Sequence, residues 1–474
     1  MIVGSKAPSQ QESPHLPLDF SVSPSPDSPF GSPRLPFSPS PTRPLAPSPI
    51  RFCILLLLLV HPLFSQQNSP SEDITFLWSG DASTYFLHSS HPMFSEARRT
   101  WNETSIHLGG KLAINNIELH ARTLTLKTTG NDPFGSGSRL VTDAPDAKAP
   151  GVPFQFEIDQ LFLRVTDLFD AGLTVTLGRQ PIIIGSQFLI GDGVYDGFAP
   201  KTAQAVYHNP RRWFDAARIE WKHDAISIDA FAARLHPTWD VLNGDDGVLG
   251  GVGVLYLPAS TQGTYGVGAY HRRASSKADS RMNILSARVD QPLPMDDRFS
   301  LSGEDAYEFA AGMKERSYHL EANFTEKSGA IRPFAVIGIV EYSPHCVPLA
   351  TGFSDWGHWY LGNQIDWIIF GTNTKIARAH IGAWFGDHMK MRLMFPQTRL
   401  AEGASGVLSN EYSLIGEWYP NEWLWVNLLF GYSSPGDALK ASGLVNPFSY
   451  LYTGAVTMSD KKATDVVLAI GVAF

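Results

Sequence analysis

From about residue 74 onward, large apolar side chains return at every second position, and Gly, Pro, Asn and Asp punctuate the runs. A two-residue period sends alternate side chains to opposite faces of an extended chain, so each run predicts a β-strand. In "AARIEWKHDAISIDAFAARL", Arg218, Glu220 and Lys222 alternate with Ala217, Ile219 and Trp221. A turn follows at His223-Asp224, and Ile226 and Ile228 then alternate with Ser227 and Asp229. Two runs about a tight turn form a hairpin. Similar runs recur at "DQLFLRVTDLF", "AGLTVTLGRQ", "VLGGVGVLYL", "IRPFAVIGIVEY" and "NEWLWVNLLFGYSS". The segment "DAYEFAAGMKERSYHLEANF" has helix formers, but its Gly312 and the later alternation predict a loop and then a strand.

Roughly 400 residues, at about 20 to 25 per strand and connection, give about 16 to 18 strands. An open sheet that wide curls or splits under its own twist, and a propeller would show a blade repeat, which this chain lacks. What remains is an all-β fold, a closed antiparallel transmembrane β-barrel. Aromatic placement supports it. Trp221, Tyr256, Trp384, Phe385, Trp418, Tyr419, Trp423 and Trp425 fall at or near strand ends beside turn residues. Interfacial girdles place such rings half in hydrocarbon and half in headgroup, which makes Trp221, Trp384, Trp418 and Trp425 candidate girdle residues and the membrane lipid their partner. The run "DVVLAIGVAF" resembles the C-terminal signature of bacterial outer-membrane proteins, which implies that Phe474 is read by the barrel-assembly machinery.

The N-terminal region is of another kind. Residues 1–50 hold 13 prolines and 11 serines. Proline at that density removes backbone donors and forbids helix, so the stretch reads as a disordered extension, explicable as an over-extended start. Residues 51–65 follow, with Arg51 ahead of an apolar run from Phe52 to Val60. That run is too short to span a bilayer and fits the core of a secretory signal peptide. Export to the outer membrane, with residues 66–474 as the barrel, is the expectation. Removal of the signal would also remove Cys53 and leave Cys346 as the one thiol, so stability must come from pairing and packing.

Charge narrows the function. The formal net charge is −9, which offers nothing to nucleic acid. No Ser/His/Asp arrangement, paired acid and base or nucleotide-binding glycine motif stands out, so neither an enzyme nor a cofactor is expected. His88 and His91, the His345-Cys346 pair and the Asp-Gly runs are weak as metal ligands, and no metal is expected.

The most informative stretch is "LFLRVTDLFDAGLTVTLGRQPIIIGSQFLIGDGVYDGF" with "NPRRWFDAARIEWKHDAISIDAFAARL". It carries Gly178-Arg179-Gln180, then Ile190-Gly191, then Arg212-Trp213-Phe214-Asp215-Ala216-Ala217-Arg218, then Asp229 to Ala233. In these elements it resembles the alginate-export family of outer-membrane barrels. Ala216 departs from the family's usual Gly, and the connection before Arg212 is longer. The resemblance implies a monomeric, passive channel for an anionic polysaccharide or a smaller acidic solute. Such a conduit needs fixed positive charge along a wet passage, and arginine stays protonated and forks onto carboxylates. Candidates for the lumen lining are Arg164, Arg179, Gln180, Arg212, Asp215, Arg218, Glu220, Asp229 and Arg234. Parity puts Arg164 and Arg218 on the polar face. It puts Arg179 with Leu173, Val175 and Leu177, and Arg234 with Ile226 and Ile228, so these two lie beyond the membrane band or follow a bulge. Nearby acids could pair with the arginines and brace the wall instead. The alternatives are a porin for small solutes with no export role, and a barrel enzyme or adhesin.

Overall fold

The computed structural model describes residues 74–91, 98–130, 155–191, 214–235, 247–258, 263–274, 281–310, 312–344, 346, 373–403, 405–441 and 461–473. The Pro/Ser-rich stretch, the apolar run, Arg212 and Phe474 lie outside them. The described residues form β1 (Ile74–Ser89), β2 (Arg99–Ile114), β3 (Ile117–Gly130), β4 (Gln155–Leu168), β5 (Leu173–Gln180) and β6 (Phe214–His223). There follow β7 (Ile226–Leu235), β8 (Gly247–Tyr256), β9 (Thr264–Ala274), β10 (Arg281–Leu293), β11 (Asp296–Ala310) and β12 (Met313–Thr325). The remainder are β13 (Ile331–Tyr342), β14 (Thr374–Phe385), β15 (Met389–Leu400), β16 (Val407–Trp418), β17 (Leu424–Pro435), a short helix α1 (Asp437–Ala441) and β18 (Ala463–Ala473).

Each strand pairs antiparallel with the next, and β1 pairs with both β2 and β18, so the 18-stranded sheet closes on itself. Closure leaves no strand edge, which is the condition for a sheet to lie in lipid. Among the described residues no helix is long and apolar enough to cross a membrane. The segment 305–310, expected as a loop, is the end of β11. Its alternation continues through Ala306 and Glu308, both buried, and the turn falls at Gly312, whose φ is +76°.

The two faces differ as a barrel in lipid requires. Outward positions expose bulky apolar groups, such as Ile337 at 66% and Val267 at 60%, while Ile376, Leu429 and Ala469 on the inward side are fully buried. The two ends also differ. At one end tight turns join the strands, with Asn115 at φ 54° between β2 and β3 and Asp224 at φ 47° between β6 and β7. At the other end lie the long connections β3–β4, β5–β6, β13–β14 and β17–β18. Short turns facing the periplasm and long loops facing outward are the rule for such barrels.

Candidate functional site: a charged bore under an inward loop

Leaving β5, residues 181–191 turn into the barrel. Ile182, Phe188 and Ile190 are fully buried, and with Ile184 and Leu189 they join Phe231, Leu249, Tyr270, Ile284 and Tyr342 in one apolar cluster. Phe188 sits 5.0 Å from the His319 ring and 5.3 Å from that of Tyr342. The Ser186 hydroxyl donates to Glu304 Oε2 at 3.3 Å and lies 3.5 Å from His319 Nε2. Gly185, at φ +55°, passes so close to Arg288 that a β-carbon there would strike the guanidinium. The loop thus reaches from β5 to the inner wall of β10–β13, filling the bore at the height of Glu304 and His319.

That contact fixes which face of the sheet is inside, and the register carries the parity round the barrel. His319 is opposite Glu304, Glu304 opposite Arg288, Arg288 opposite Gly266, Gly266 opposite Leu255, Leu255 opposite Ser227, and Ser227 opposite Lys222. Arg218, Glu220 and Asp229 are therefore inward. Arg164 is inward too, opposite Thr176, which is opposite Arg218. These four form one ladder. Arg218 Nε and Nη2 donate to Asp229 at 3.0 and 2.5 Å, Arg218 lies 3.3 Å from Glu220, and Arg164 lies 3.9 Å from Glu220. Arg122 with Asp159 at 2.7 Å, Lys111 with Glu118 at 2.8 Å and His107 with Asp81 at 2.9 Å continue it over β1–β4. Cation and carboxylate alternate here, so this wall braces itself and carries little excess charge. Gln180 is buried and donates to the carbonyls of Thr176 and Ala216 at 3.2 and 3.1 Å, holding the strand end.

Three of the expected lining residues face the other way. Arg179, Asp215 and Arg234 share the outer row, Arg179 opposite Asp215 and Asp215 opposite Arg234. No bulge resets the phase between β5 and β6 or between β6 and β7, so simple alternation carries them outside at the loop end. Two expected girdle residues are likewise inward. Trp384 is opposite Lys390, whose Nζ lies 5.3 Å from the indole, and Trp425 is opposite Gly471, where its ring takes the space of the missing side chain. Trp221 and Trp418 do face outward, joined at the turn end by Trp78, Tyr256 and Phe385.

Below the loop lies a cavity of about 620 Å³ within the bore, between the loop and the turn end. Its lining includes Arg288, Arg378, Lys390 and Arg392, two carboxylates (Asp290 and Glu321), His319, His380, Asn323, Phe334 and Trp384. Four permanent cations and two carboxylates line the cavity, while Glu417 beside Arg392 and Lys390, and Glu304 opposite Arg288, are outside the lining, so the surface turned to the cavity is richer in cations than the wall behind it. The geometry comes from small residues. Gly338 stands in register between Glu321 and Arg378 and lets the two form an ion pair across β13. Arg392 pairs with Glu417 at 2.6 Å, and Lys390 lies 3.5 Å from the same carboxylate. Along the strands the cations step from Arg288 at loop height through Arg378 and Arg392 to Lys390 and Arg332 near the turns. This column was not among the residues expected from sequence. The signal was present in "MKMRLM", where Lys390 and Arg392 alternate with Met389, Met391 and Leu393.

No family model and no curated protein matches the chain. Solved structures do. OpdK of Pseudomonas aeruginosa, determined with vanillate, is similar at TM-score 0.51 and 11% identity, over 84% of this chain and 100% of that one. OccAB4 of Acinetobacter baumannii is similar at TM-score 0.53 and 10% identity, over 85% and 99%, and OccAB1 of that organism at TM-score 0.52 and 11%, over 86% and 100%. The chain has the porin-like barrel fold of these outer-membrane proteins, and with its apolar exterior it is a protein of the bacterial outer membrane.

Proposed function

We propose that this barrel is a substrate-specific channel through which small acidic solutes cross the outer membrane passively, one chain forming one pore. One observation carries the reading: a cavity whose lining presents four cations and two carboxylates lies directly beneath a loop that fills the bore. A solute must pass the loop and then meet guanidinium and ammonium groups in the cavity wall, where a carboxylate exchanges water for bidentate bonds. Phe334 and Trp384 in the lining give an apolar surface for the rest of the molecule. The OpdK structure holds vanillate, a carboxylate, which is in keeping with this choice of solute.

Passage of an anionic polysaccharide of the alginate type is the second reading. It rests on the motif resemblance around Arg179 and Arg218, and the apolar loop across the bore favours the smaller solute. Planar-bilayer recording separates the two. We expect a reversal potential that favours anions, block by small carboxylates, and a severalfold loss of anion preference in R378Q/R392Q/K390Q. An equal preference for both signs in the parent channel, or a triple variant that keeps its selectivity, would sink the small-acid reading. Strong block by oligouronates with none by monomeric acids would favour export.

A further inference from the structure

The outward row that holds Arg179 continues across six adjoining strands. Arg179 lies opposite Asp215, Asp215 opposite Arg234, Arg234 opposite Val248, Val248 opposite Arg273, and Arg273 opposite Arg281. Their chain neighbours Gln180, Phe214, Ala233, Leu249, Arg272 and Met282 are all buried on the bore side, which fixes the row as outward. Four guanidinium groups thus stand in one belt at the loop end of β5–β10, with Asp215 the single carboxylate of the row. That carboxylate accepts bonds from Arg179 Nε at 2.9 Å and Nη2 at 3.3 Å. Arg234, Arg273 and Arg281 are exposed. Five inter-strand steps of about 4.8 Å make the belt roughly 24 Å wide.

This is not a general coating of charge. At the turn end of the same strands the outward positions are Leu173, Trp221, Ile226, Tyr256 and Tyr265, with His223 beyond them. Farther round the loop-end rim the outward cations are fewer per strand, Arg316 being held by Asp305 at 2.8 Å and Lys375 by Glu341 at 2.7 Å, with Lys314 and Arg399 also facing outward. Two rows beneath the belt, Val175, Ile219, Ala230, Val252, Ala269 and Leu285 stand in register and face hydrocarbon, so the arginines sit at headgroup level. The long loops put that level in the outward leaflet. In a bacterial outer membrane the outward leaflet is a glycolipid with phosphates on its sugar headgroup, and guanidinium groups fork onto phosphate.

We infer that the β5–β10 belt is a docking surface for the phosphorylated headgroup of outer-leaflet glycolipid, with Arg234, Arg273 and Arg281 taking phosphates and the Arg179–Asp215 pair flanking them. The inference does not depend on what passes through the bore. Its test uses the full chain in nanodiscs of phosphatidylcholine doped with the bis-phosphorylated glucosamine-disaccharide glycolipid or with its phosphate-free counterpart. Glycolipid retained per barrel is counted by native mass spectrometry, and the unfolding midpoint is recorded. The phosphorylated lipid should be retained and should raise the midpoint, and the phosphate-free lipid should do neither. Retention should fall roughly fivefold per arginine removed in the series to R234Q/R273Q/R281Q, with conductance unchanged because these side chains face away from the bore. Equal retention of the two lipids by the parent chain overturns the inference without any variant. So does a triple variant that keeps its phosphorylated lipid. Should the triple variant fail to assemble, the two-lipid comparison on the parent chain decides alone.

Discussion

Single residues in this barrel are set by what stands beside them across the strands. Cys346 follows β13 and is nearly fully buried, accepting a hydrogen bond from Ser317 Oγ at 2.8 Å and donating to Glu308 Oε1 at 3.1 Å. Burial first, and then the nearby Glu308 carboxylate, push its thiol well above the ordinary value. Only the thiolate attacks a maleimide, so the folded barrel should resist labelling at neutral pH and stay resistant as pH rises through the usual thiol range. Denatured chain should label fully, and peptide mapping would check both outcomes. Gly338 is a second case. A β-carbon there would lie 2.9 Å from the Leu320 carbonyl and 3.0 Å from the Glu321 side chain. Gly338→Val should force Glu321 from Arg378 and strand a buried charge, costing on the order of 3 kcal/mol, read as a lower denaturant midpoint at unchanged slope. An unchanged midpoint would mean that the pair tolerates the intrusion.

At the scale of elements, the inward loop and the strands are held by different forces. The strands have their ladders, whereas residues 181–191 rest on apolar contact with the bore wall and on Ser186. Phe188 supplies the largest of those contacts. Phe188→Ala removes a fully buried ring, a loss of about 3 to 5 kcal/mol at a rigid site, and here the loop can yield. We expect larger and noisier single-channel currents with no change in the barrel's resistance to cold detergent. A quiet channel of unchanged conductance would place the constriction elsewhere. The elements also show where the sequence was legible. Two-residue alternation marks every strand it was used for, because a lipid-facing side and a wet side leave no other pattern. Trp384 and Trp425 were misplaced because nearness to a turn was weighed above parity. Trp384 shares its face with Arg378 and His380, and Trp425 shares its face with Asn427, and that phase already pointed inward. Parity likewise set Arg179 and Arg234 apart from Arg218. What alternation cannot tell is which strands meet across the bore, so the loop's landing on β10–β13 and the cation column there stayed hidden. The run "IIIGSQFLI", apolar without a two-residue period, was the clue that this connection is buried.

At the scale of the molecule, everything depends on closure. β18 is the strand on which closure turns: it pairs with β17 from Leu424 to Ser433 on one side and with β1 from Asp81 to Ser89 on the other. Its outward Val466, Leu468, Ile470 and Val472 complete the lipid face, and its inward Val467 and Ala469 pack in the bore. Without it, β1 and β17 would each present a row of unpaired amides and carbonyls to hydrocarbon, where a single unsatisfied group costs several kcal/mol. No rearrangement of the remaining strands recovers that loss cheaply, since a one-strand contraction would put β17 beside β1 running the same way, a parallel pair in a sheet built throughout from antiparallel ladders. A chain stopped at residue 460 should therefore yield no compact species in cold detergent electrophoresis, whereas the full chain should migrate as a compact form that heating unfolds. Ala469→Pro tests the same point within an intact chain. It removes a donor where the strand meets Tyr85 and Asn427, and it should shift the heat-induced transition downward without abolishing the barrel. If the shortened chain instead gave a heat-modifiable band and conducted, the bore would not depend on the β1–β18 seam, and the cation-lined cavity could not be the route that solutes take.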